Sequence, residues 1–269
     1  MFDTNKFTFG PVNSRRLGMS LGINLLGEKK KCTFNCVYCE IGKSKSDEIV
    51  GIDYNYEPEV DMETFIEEVS LPLKNLPEIT SATFGYMGET TLANHLEKYL
   101  GAARKLEAEL GREGPMISIF TNSTTLGDEW IRSILAKFDF IMAKLDCAIQ
   151  SCFQKINRPH SSVPPVNEII ENMRLLREEL NKHPKHKLAI QTLLFNSLNP
   201  NIPSNIKNAN LNALAKAYEK IKPHVVQIYT VAREPAEKGI YALSQKEKNN
   251  VRHFLDKNVK DKNIEINIY

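Results

Sequence analysis

The chain has few cysteines and no long hydrophobic segment. Its 269 residues include only five cysteines, and the start Met1-Phe2-Asp3-Thr4 lacks the charged and then apolar run of a secretory signal. A disulfide framework is therefore not expected, and the predicted compartment is the reducing cytoplasm. No apolar run reaches the roughly 20 residues that cross a bilayer, so the sequence does not predict membrane insertion.

The composition is otherwise that of an ordinary globular chain. Hydrophobic residues make up 42%, charged residues 25%, and the net charge is +2, which fits one large domain or two small ones. Residues 1–46 hold eight Lys and Arg against three Asp and Glu, whereas residues 47–78 hold one lysine against ten acidic residues. The basic segment could steer an anionic substrate, and the acidic segment would repel a long polyanion. Two solvated charge runs explain the pattern equally well.

Apolar, β-branched segments alternate with helical patterns along the chain, which is typical of βαβ units around a parallel sheet. The predicted strands are Ser20 to Leu26, Ile79 to Tyr86, Met116 to Thr121, Phe138 to Asp146, Lys187 to Leu194, His224 to Val231 and Asn263 to Tyr269. Apolar stripes predict helices over residues 92–110 and 166–180. Ser244 followed by Glu247 predicts a capping box that opens a final helix. The polar run 196–210 is predicted to be a loop.

Six βα units are too few for a closed eight-stranded barrel, and they predict an α/β fold, a partial (βα)6 barrel open on one side. Ligands of parallel sheets bind at the carboxyl ends of the strands, and the candidate functional segments follow the first four predicted strands at that end. We predict a single domain over residues 1–269. It consists of a short N-terminal segment 1–18, a core over about 19–244, and a C-terminal helix and strand over 244–269.

Three of the five cysteines, Cys32, Cys36 and Cys39, lie on one short loop after the first predicted strand. Thiolates are soft ligands that favour iron-sulfur clusters and zinc. A closed zinc site needs a fourth ligand, and no further cysteine or histidine occurs within the next fifty residues. A cluster with one open iron is the favoured interpretation. A zinc-stapled binding module and a simple electron carrier are the non-enzyme alternatives.

The spacing Cys-x3-Cys-x2-Cys, with Tyr38 directly before the third cysteine, resembles the signature of the radical S-adenosylmethionine (SAM) enzymes. The resemblance implies that Cys32, Cys36 and Cys39 are catalytic metal ligands that hold one 4Fe-4S cluster, whose fourth iron binds SAM. In that family the reduced cluster cleaves SAM into methionine and a 5′-deoxyadenosyl radical, which abstracts hydrogen from a shielded substrate. It also implies an electron donor such as flavodoxin or ferredoxin, and a Tyr38 ring placed against the cluster or the adenine.

A second segment, from Phe84 to Leu92, supports the resemblance, because Gly88 and Glu89 look like the family's glycine-glutamate motif. Gly88 would let the backbone approach the ligand closely, and the Glu89 carboxylate would accept hydrogen bonds from the SAM ammonium. Candidate SAM contacts further along the chain are Asn122, Ser123, Lys144, Asp146 and Gln191.

The roles of these later residues have alternatives. Asn122 and Ser123 could bind the methionyl carboxylate or the ribose, and a turn or helix N-cap role fits them equally well. Lys144 and Asp146 straddle one position, so in a strand they point to the same face. Because a buried ion pair is costly unless it serves a purpose, ligand contact is favoured over a purely structural role for this pair.

The two remaining cysteines, Cys147 and Cys152, are too few for a second cluster, which needs three or four thiolates. Cys147 is predicted to end a buried strand as a small apolar residue, and Cys152 to lie on the connection that follows. We therefore predict one cluster per chain.

Four stretches resemble a branch of short radical SAM proteins that is commonly grouped with wyosine-type tRNA-modification synthetases. They are Phe9 to Gly18, Lys144 to Asp146, Ile156 to His160, and Ile228 to Glu237. Four arginines in these stretches predict an anionic substrate, because guanidinium groups bind carboxylate or phosphate bidentately: Arg15, Arg16, Arg158 and Arg233. Alternatively, each arginine ties down a loop or binds the SAM carboxylate. Modification of a tRNA base and activation of a partner protein by a radical are the alternative functions.

Overall fold

The computed structural model describes residues 7–58, 61–111 and 113–269. Residues 1–6, the beginning of the predicted N-terminal segment, lie outside the described residues. The strands are β1 (Thr8–Ser14), β2 (Gly18–Ile23), β3 (Ser81–Phe84), β4 (Met116–Thr121), β5 (Phe140–Lys144), β6 (Lys187–Leu194), β7 (Asn196–Ser197), β8 (Val225–Thr230), β9 (Ile240–Tyr241) and β10 (Glu265–Ile268). The helices are α1 (Met62–Asn75), α2 (Leu96–Ala108), α3 (Glu129–Leu135), α4 (Gln150–Ile156), α5 (Val166–Glu179), α6 (Asn208–Ile221) and α7 (Gln245–Asn258).

Eight of these strands form one sheet in the order β1-β2-β3-β4-β5-β6-β8-β10. Every neighbouring pair is parallel except β1 and β2, which form an antiparallel hairpin. The sheet curls on itself, because Leu17 before β2 packs in one cluster with Phe140 of β5 and Val225 of β8. The described sheet ends at β1 and β10, so the barrel is open between them. The predicted partial barrel is confirmed, and β1 is an addition that the sequence did not predict.

Successive residues of the parallel strands alternate between the barrel interior and the outer helical layer. Phe140 and Met142 of β5 belong to the interior cluster with Leu17, whereas Ile141 and Ala143 belong to the main core under the helices. The interior is polar on the side of β2, β3 and β4. Hydroxyl hydrogen bonds of 2.8–3.0 Å connect Ser20, Ser81, Thr83 and Ser118 there.

The predicted helices are present as α2, α5 and α7, and α7 begins with the predicted capping box of Ser244 and Glu247. The loop prediction for residues 196–210 is wrong at both ends, because β7 occupies its start and α6 begins at Asn208. Asn210 is buried there, and its amide donates to the backbone oxygens of Asp146 (3.0 Å) and Asn205 (2.9 Å). None of the described helices is long and apolar enough to cross a membrane.

Candidate active site

The cysteine loop, residues 30–42, lies on the carboxyl ends of the parallel strands and is held there by backbone hydrogen bonds. The Lys31 amide donates to the Met87 oxygen (3.0 Å), and the Glu89 amide donates to the Lys31 oxygen (2.8 Å). On the other side, the Val37 amide donates to the Ile156 oxygen at the end of α4 (3.0 Å). The segments after β3 and after β5 therefore fix the course of this loop.

Gly88 makes the contact between the glycine-glutamate segment and the cysteine loop possible. Its φ is +127°, and a Cβ atom here would lie 1.8 Å from the Lys31 oxygen. Only glycine fits, because a side chain would be strained by this φ and would collide with backbone. The close approach that the sequence analysis assigned to a ligand is made to the cysteine loop. Contact of Gly88 with SAM stays a prediction.

The thiols of the cysteine loop are free, and each sulfur accepts one hydrogen bond from a side-chain nitrogen. The pairs are Asn122 Nδ2 with Cys32 (3.5 Å), Asn157 Nδ2 with Cys36 (3.4 Å) and Lys30 Nζ with Cys39 (3.3 Å). Burial, with the neighbouring Cys36, raises the pKa of Cys32 to about 12, and burial, with the charge of Asp146, raises that of Cys36 to about 11. Unassisted, these two groups are neutral thiols at neutral pH.

This donor set fits a four-iron cluster. The described His, Cys, Asp and Glu side chains include no group of three arranged to hold one metal ion, whereas the cysteines of such a cluster bind separate irons. A metal cation favours the thiolate over the thiol, which offsets the effect of burial. The nitrogen donors aimed at each sulfur stabilise the same negative charge.

Asp146 is the centre of a buried network beside the cysteine loop. Its Oδ1 accepts the Leu193 amide (2.8 Å) and pairs with Lys144 Nζ (3.2 Å), while its Oδ2 accepts from the Tyr38 hydroxyl and from Asn157 Nδ2 (2.9 Å). The predicted strand ended at Asp146, but β5 ends at Lys144, so Asp146 lies two residues beyond it and is joined to Lys144 by the ion pair. Burial alone would lower the pKa of Lys144, and the charge of Asp146 raises it above the usual range.

Tyr38 uses both its ring and its hydroxyl within the protein. The hydroxyl bonds Asp146 and accepts from Asn157 Nδ2 (3.1 Å), and the ring packs against Phe195 with 6.0 Å between centroids. Lys144 Nζ lies 4.9 Å from the centre of the same ring. The predicted contact of the ring with a cluster or with adenine stays a prediction.

Sequence reasoning missed Lys30 and Asn157 as site residues. Lys30 is 5% exposed, which is unusual for a lysine, and its ammonium also donates to the Gly42 oxygen (3.2 Å). Asn157 follows α4 and belongs to the stretch Ile156 to His160, whose likeness to a family branch was the one available signal. Its amide links Cys36 to the Asp146 network.

Glu89 is 1% exposed, and several protein groups donate to its carboxylate. Oε1 accepts from the hydroxyls of Thr91 (2.6 Å) and Thr121 (2.8 Å), and Oε2 accepts from the Asn122 amide. Burial raises the pKa of Glu89, and these hydrogen bonds oppose the rise. Glu89 therefore ties the segment after β3 to the end of β4. Its contact with the SAM ammonium stays a prediction.

Asn122 and Ser123 form the turn after β4. Asn122 Nδ2 donates to Thr33 Oγ1 in the cysteine loop (2.8 Å), and its Oδ1 accepts the Thr124 amide (3.1 Å). Ser123 is fully buried with φ +75°, and its hydroxyl donates to the Lys144 oxygen (3.4 Å). Asn122 thus joins the turn to the cysteine loop and Ser123 joins it to the end of β5, and contact of either residue with SAM stays a prediction.

Gln191 lies inside the barrel beside Lys144, its partner in the register of β5 and β6. It is 3% exposed, and its amide donates to Gln227 Oε1 on β8 at 2.8 Å. The two glutamines form part of the interior wall, and contact of Gln191 with SAM stays a prediction.

Two of the four candidate arginines tie down loops. Arg158 forms an ion pair with Glu237, which also lies 3.5 Å from Lys43, and Arg233 pairs with Glu40 (3.0 Å). These contacts hold the segment after β8 over the cysteine loop. They satisfy Arg158 and Arg233 within the protein.

A disulfide joins Cys147 and Cys152 in the structure. This single pairing was not predicted from the five cysteines, whose small number argues only against a framework of several disulfides. The short connection from β5 to α4 brings the two Cα atoms to 5.8 Å, within the usual range for a disulfide. Cys147 is fully buried, as predicted, but it lies three residues beyond the end of β5 and not at the end of the strand.

Some known proteins are similar to this chain in sequence, and others are similar to it in fold alone. The model of the radical SAM superfamily matches residues 30–201. The UPF0026 protein MJ1312 of Methanocaldococcus jannaschii is 32% identical over 232 residues, which are 86% of this chain and 65% of that relative. Streptococcus suis SuiB bound to S-adenosylmethionine has a TM-score of 0.60 at 12% identity, covering 90% of this chain and 48% of SuiB. Native anSMEcpe with bound AdoMet has a TM-score of 0.62 at 17% identity, covering 93% and 63%.

The family match spans the three cysteines, Glu89 and the Asp146 network. The matched residues span less than two thirds of the length of MJ1312. The likeness to the two solved structures concerns the fold alone. The three-cysteine loop lies within the segment that the family model matches. The open parallel barrel agrees with the fold of the two solved structures. The chain belongs to the radical SAM superfamily.

Proposed function

We propose that this enzyme cleaves SAM reductively at a single 4Fe-4S cluster, and that the resulting 5′-deoxyadenosyl radical abstracts hydrogen from an anionic substrate. The observation that carries the proposal is the donor set, three free thiols on one loop, each with a nitrogen donor at its sulfur. A flavodoxin or ferredoxin is the proposed electron donor, and the cytoplasm is the proposed compartment. Residues 1–269 are proposed to act as one radical SAM domain.

The three cysteines and the nitrogen donors beside them would have different roles. Cys32, Cys36 and Cys39 would hold three irons and leave the fourth for SAM. The donors Lys30 and Asn157 would stabilise the additional negative charge of the reduced state, because hydrogen bonds to the sulfurs set cluster potentials.

The SAM ammonium would bind beside Glu89. A carboxylate has about four acceptor positions, and among the described residues Oε2 receives only the Asn122 amide. Oε2 therefore keeps capacity for one more donor. Lys144, whose side chain is 19% exposed, is the proposed cation at the barrel mouth, while its fully buried partner Asp146 holds it in place.

Anaerobic reconstitution tests the proposal. Wild-type protein should bind about four irons per chain, lose its brown colour with a strong reductant, and release 5′-deoxyadenosine from added SAM. Cys36→Ala should lose the cluster and the release of 5′-deoxyadenosine. The matched control is the double variant Cys147→Ala with Cys152→Ala, which should keep the iron content of the wild type.

Three results would contradict the proposal. One bound zinc in place of iron would favour the binding module, and a cluster that never releases 5′-deoxyadenosine from SAM would favour an electron carrier. Loss of iron in the double cysteine variant would show that Cys147 and Cys152 are ligands, and that the single-cluster assignment is wrong.

A further inference from the structure

Arg16 extends from the turn between β1 and β2 into the barrel. This turn lies at the amino end of β2, whereas the cysteine loop follows the carboxyl end of the same strand. The guanidinium carbon of Arg16 lies 4.6 Å from the ring centre of Tyr229 and 5.9 Å from that of Phe120. Because both rings belong to the carboxyl halves of β8 and β4, the side chain reaches upward from the barrel floor toward the candidate site.

The Arg16 guanidinium is not satisfied within the described residues. Its Nη1 is shut off from solvent and has no hydrogen-bond partner, and none of the ion pairs among those residues involves it. The aromatic faces of Tyr229 and Phe120 offset part of the cost of burial. They do not accept the N–H groups, which lie in the plane of the guanidinium. The Nη1 donor of Arg16 therefore has no acceptor, and its positive charge has no carboxylate partner, among the described residues.

The other three candidate arginines differ from Arg16. Arg158 and Arg233 are ion-paired with carboxylates, and Arg15, the neighbour of Arg16 on the same turn, is exposed to solvent. Of the four, Arg16 is the one whose charge lies inside the barrel without a carboxylate partner among the described residues.

Among the described residues, the cationic side chains that contact Tyr229 and the carboxylate paired with one of them carry one positive charge in excess. Lys144 contacts the same tyrosine, with Nζ 5.0 Å from the ring centre and 2.6 Å from the hydroxyl. The charge of Lys144 is balanced by Asp146 at 3.2 Å, which leaves that of Arg16 unbalanced. A buried charge without a partner is costly, and a ligand with one negative charge would remove this cost.

We propose that Arg16 binds the carboxylate of a small, singly charged substrate inside the barrel, with Tyr229 as the wall of the site. The proposal rests on the proposed function, because it places the substrate on the barrel axis between Arg16 and the SAM site. A guanidinium matches a carboxylate with two parallel hydrogen bonds, and the single excess charge favours a carboxylate over a phosphate dianion. Arg16 and Tyr229 are half-buried and the Lys144 side chain is 19% exposed, so none of the three residues is fully closed off from solvent.

Anion-dependent thermal stability tests this assignment without any catalytic turnover. Reconstituted wild type, Arg16→Met and the matched control Arg15→Met are heated with acetate, glycolate, phosphate or the uncharged analogue acetamide, all at one ionic strength. Wild type and Arg15→Met should gain about 3 °C in melting temperature at a tenfold excess of carboxylate over its Kd. Phosphate should have a smaller effect, and acetamide none. Arg16→Met should not respond.

A conservative variant covers the case in which Arg16→Met fails to fold. Arg16→Lys keeps the charge and loses the planar pair of donors, so its carboxylate affinity should fall by about tenfold. Equal responses of wild type and Arg16→Met, or an Arg16→Lys affinity equal to that of wild type, would overturn the proposal. A larger response to phosphate than to carboxylate would overturn the carboxylate assignment.

The affinity for SAM separates this inference from the proposed function. Arg16→Met should bind SAM as tightly as wild type in equilibrium dialysis, and a tenfold loss would place Arg16 in the SAM site instead. If wild type releases no 5′-deoxyadenosine but carboxylates still stabilise it through Arg16, the proposed function fails and the anion site stands. If SAM is cleaved and carboxylates have no effect, the anion site alone fails.

Discussion

Glu89 and Arg16 are two charged groups in the same barrel with opposite surroundings. The Glu89 carboxylate is 1% exposed and accepts hydrogen bonds from Thr91, Thr121 and Asn122. Arg16 Nη1 is also shut off from solvent, and it has no hydrogen-bond partner among the described residues. A buried charge with several donors supports the framework, even where one acceptor position stays open as at Glu89, whereas a buried charge without a partner is available for a ligand.

This contrast predicts that removing the Glu89 carboxylate destabilises the protein, whereas removing the Arg16 guanidinium does not. The largest effect is expected at Glu89. Glu89→Ala should lower the free energy of unfolding by about 2–4 kcal/mol, because the Thr121 hydroxyl and the Asn122 amide lose a buried acceptor. Urea denaturation followed by circular dichroism measures the change. Glu247→Ala is the matched control, because its exposed carboxylate also accepts several donors and should cost only about 1 kcal/mol. A smaller loss at Glu89 than at Glu247 would remove the framework role.

The Asn157 side chain has one buried atom with hydrogen-bond partners and one without, so it sharpens the comparison of Glu89 with Arg16. Its Nδ2 donates to Cys36, Tyr38 and Asp146, while its Oδ1 is buried without a hydrogen-bond partner among the described residues. Asn157→Leu removes one donor from the sulfur of Cys36, a ligand of the proposed cluster. The reduction potential of that cluster should become about 20–60 mV more negative, the equivalent of roughly 0.5–1.5 kcal/mol.

A redox titration monitored by electron paramagnetic resonance measures this potential. Asn172 offers a matched control, because it is also a buried asparagine, on α5, and its Nδ2 has no partner among the described residues. Asn172→Leu should leave the potential unchanged. Equal potentials in Asn157→Leu and the wild type would show that the bond to Cys36 does not tune the cluster.

Glu237 tests whether a carboxylate with several cationic partners stabilises the protein when it is only partly buried. It pairs with Arg158 and Lys43, but its side chain is 21% exposed. Glu237→Gln should therefore cost less than about 1 kcal/mol of global stability. Amide hydrogen exchange in residues 37–43 should still become faster, because the segment after β8 would hold the cysteine loop less firmly. Unchanged exchange there would mean that backbone contacts alone fix the loop.

Arg16→Met gives the smallest expected change. Without an anion, its free energy of unfolding should match that of wild type within about 0.5 kcal/mol or exceed it, because an unpaired charge is removed from the interior. Urea denaturation in chloride buffer measures this difference. A loss of more than 2 kcal/mol would make Arg16 a framework residue like Glu89 and would end the contrast between them.

Local sequence patterns predicted most of the fold. Buried parallel strands are apolar runs, so β4 and β6 are found at the predicted boundaries. The strand β1 escaped prediction because it contains Gly10 and Pro11 and alternates between exposed and half-buried residues. Its place is set by pairing with β2, which no local pattern encodes.

The site was predictable only where its residues are close in the sequence. The three cysteines occupy one loop, and Glu89 follows a recognisable glycine. Asn157 reaches Cys36 from 121 positions away, and Arg16 meets Tyr229 only because the barrel closes around them. These contacts depend on the tertiary fold, so they could not be predicted from the local sequence around either partner.

The backbone bridge between Lys31 and Gly88 joins the cysteine loop to the end of β3. Its hydrogen bonds are made by the chain itself, so protein contacts account for part of the conformational entropy that the loop loses on folding. A metal group bound by the three thiols would therefore contribute less to folding than the ion of a metal-dependent fold does, because it would have less of the loop to order.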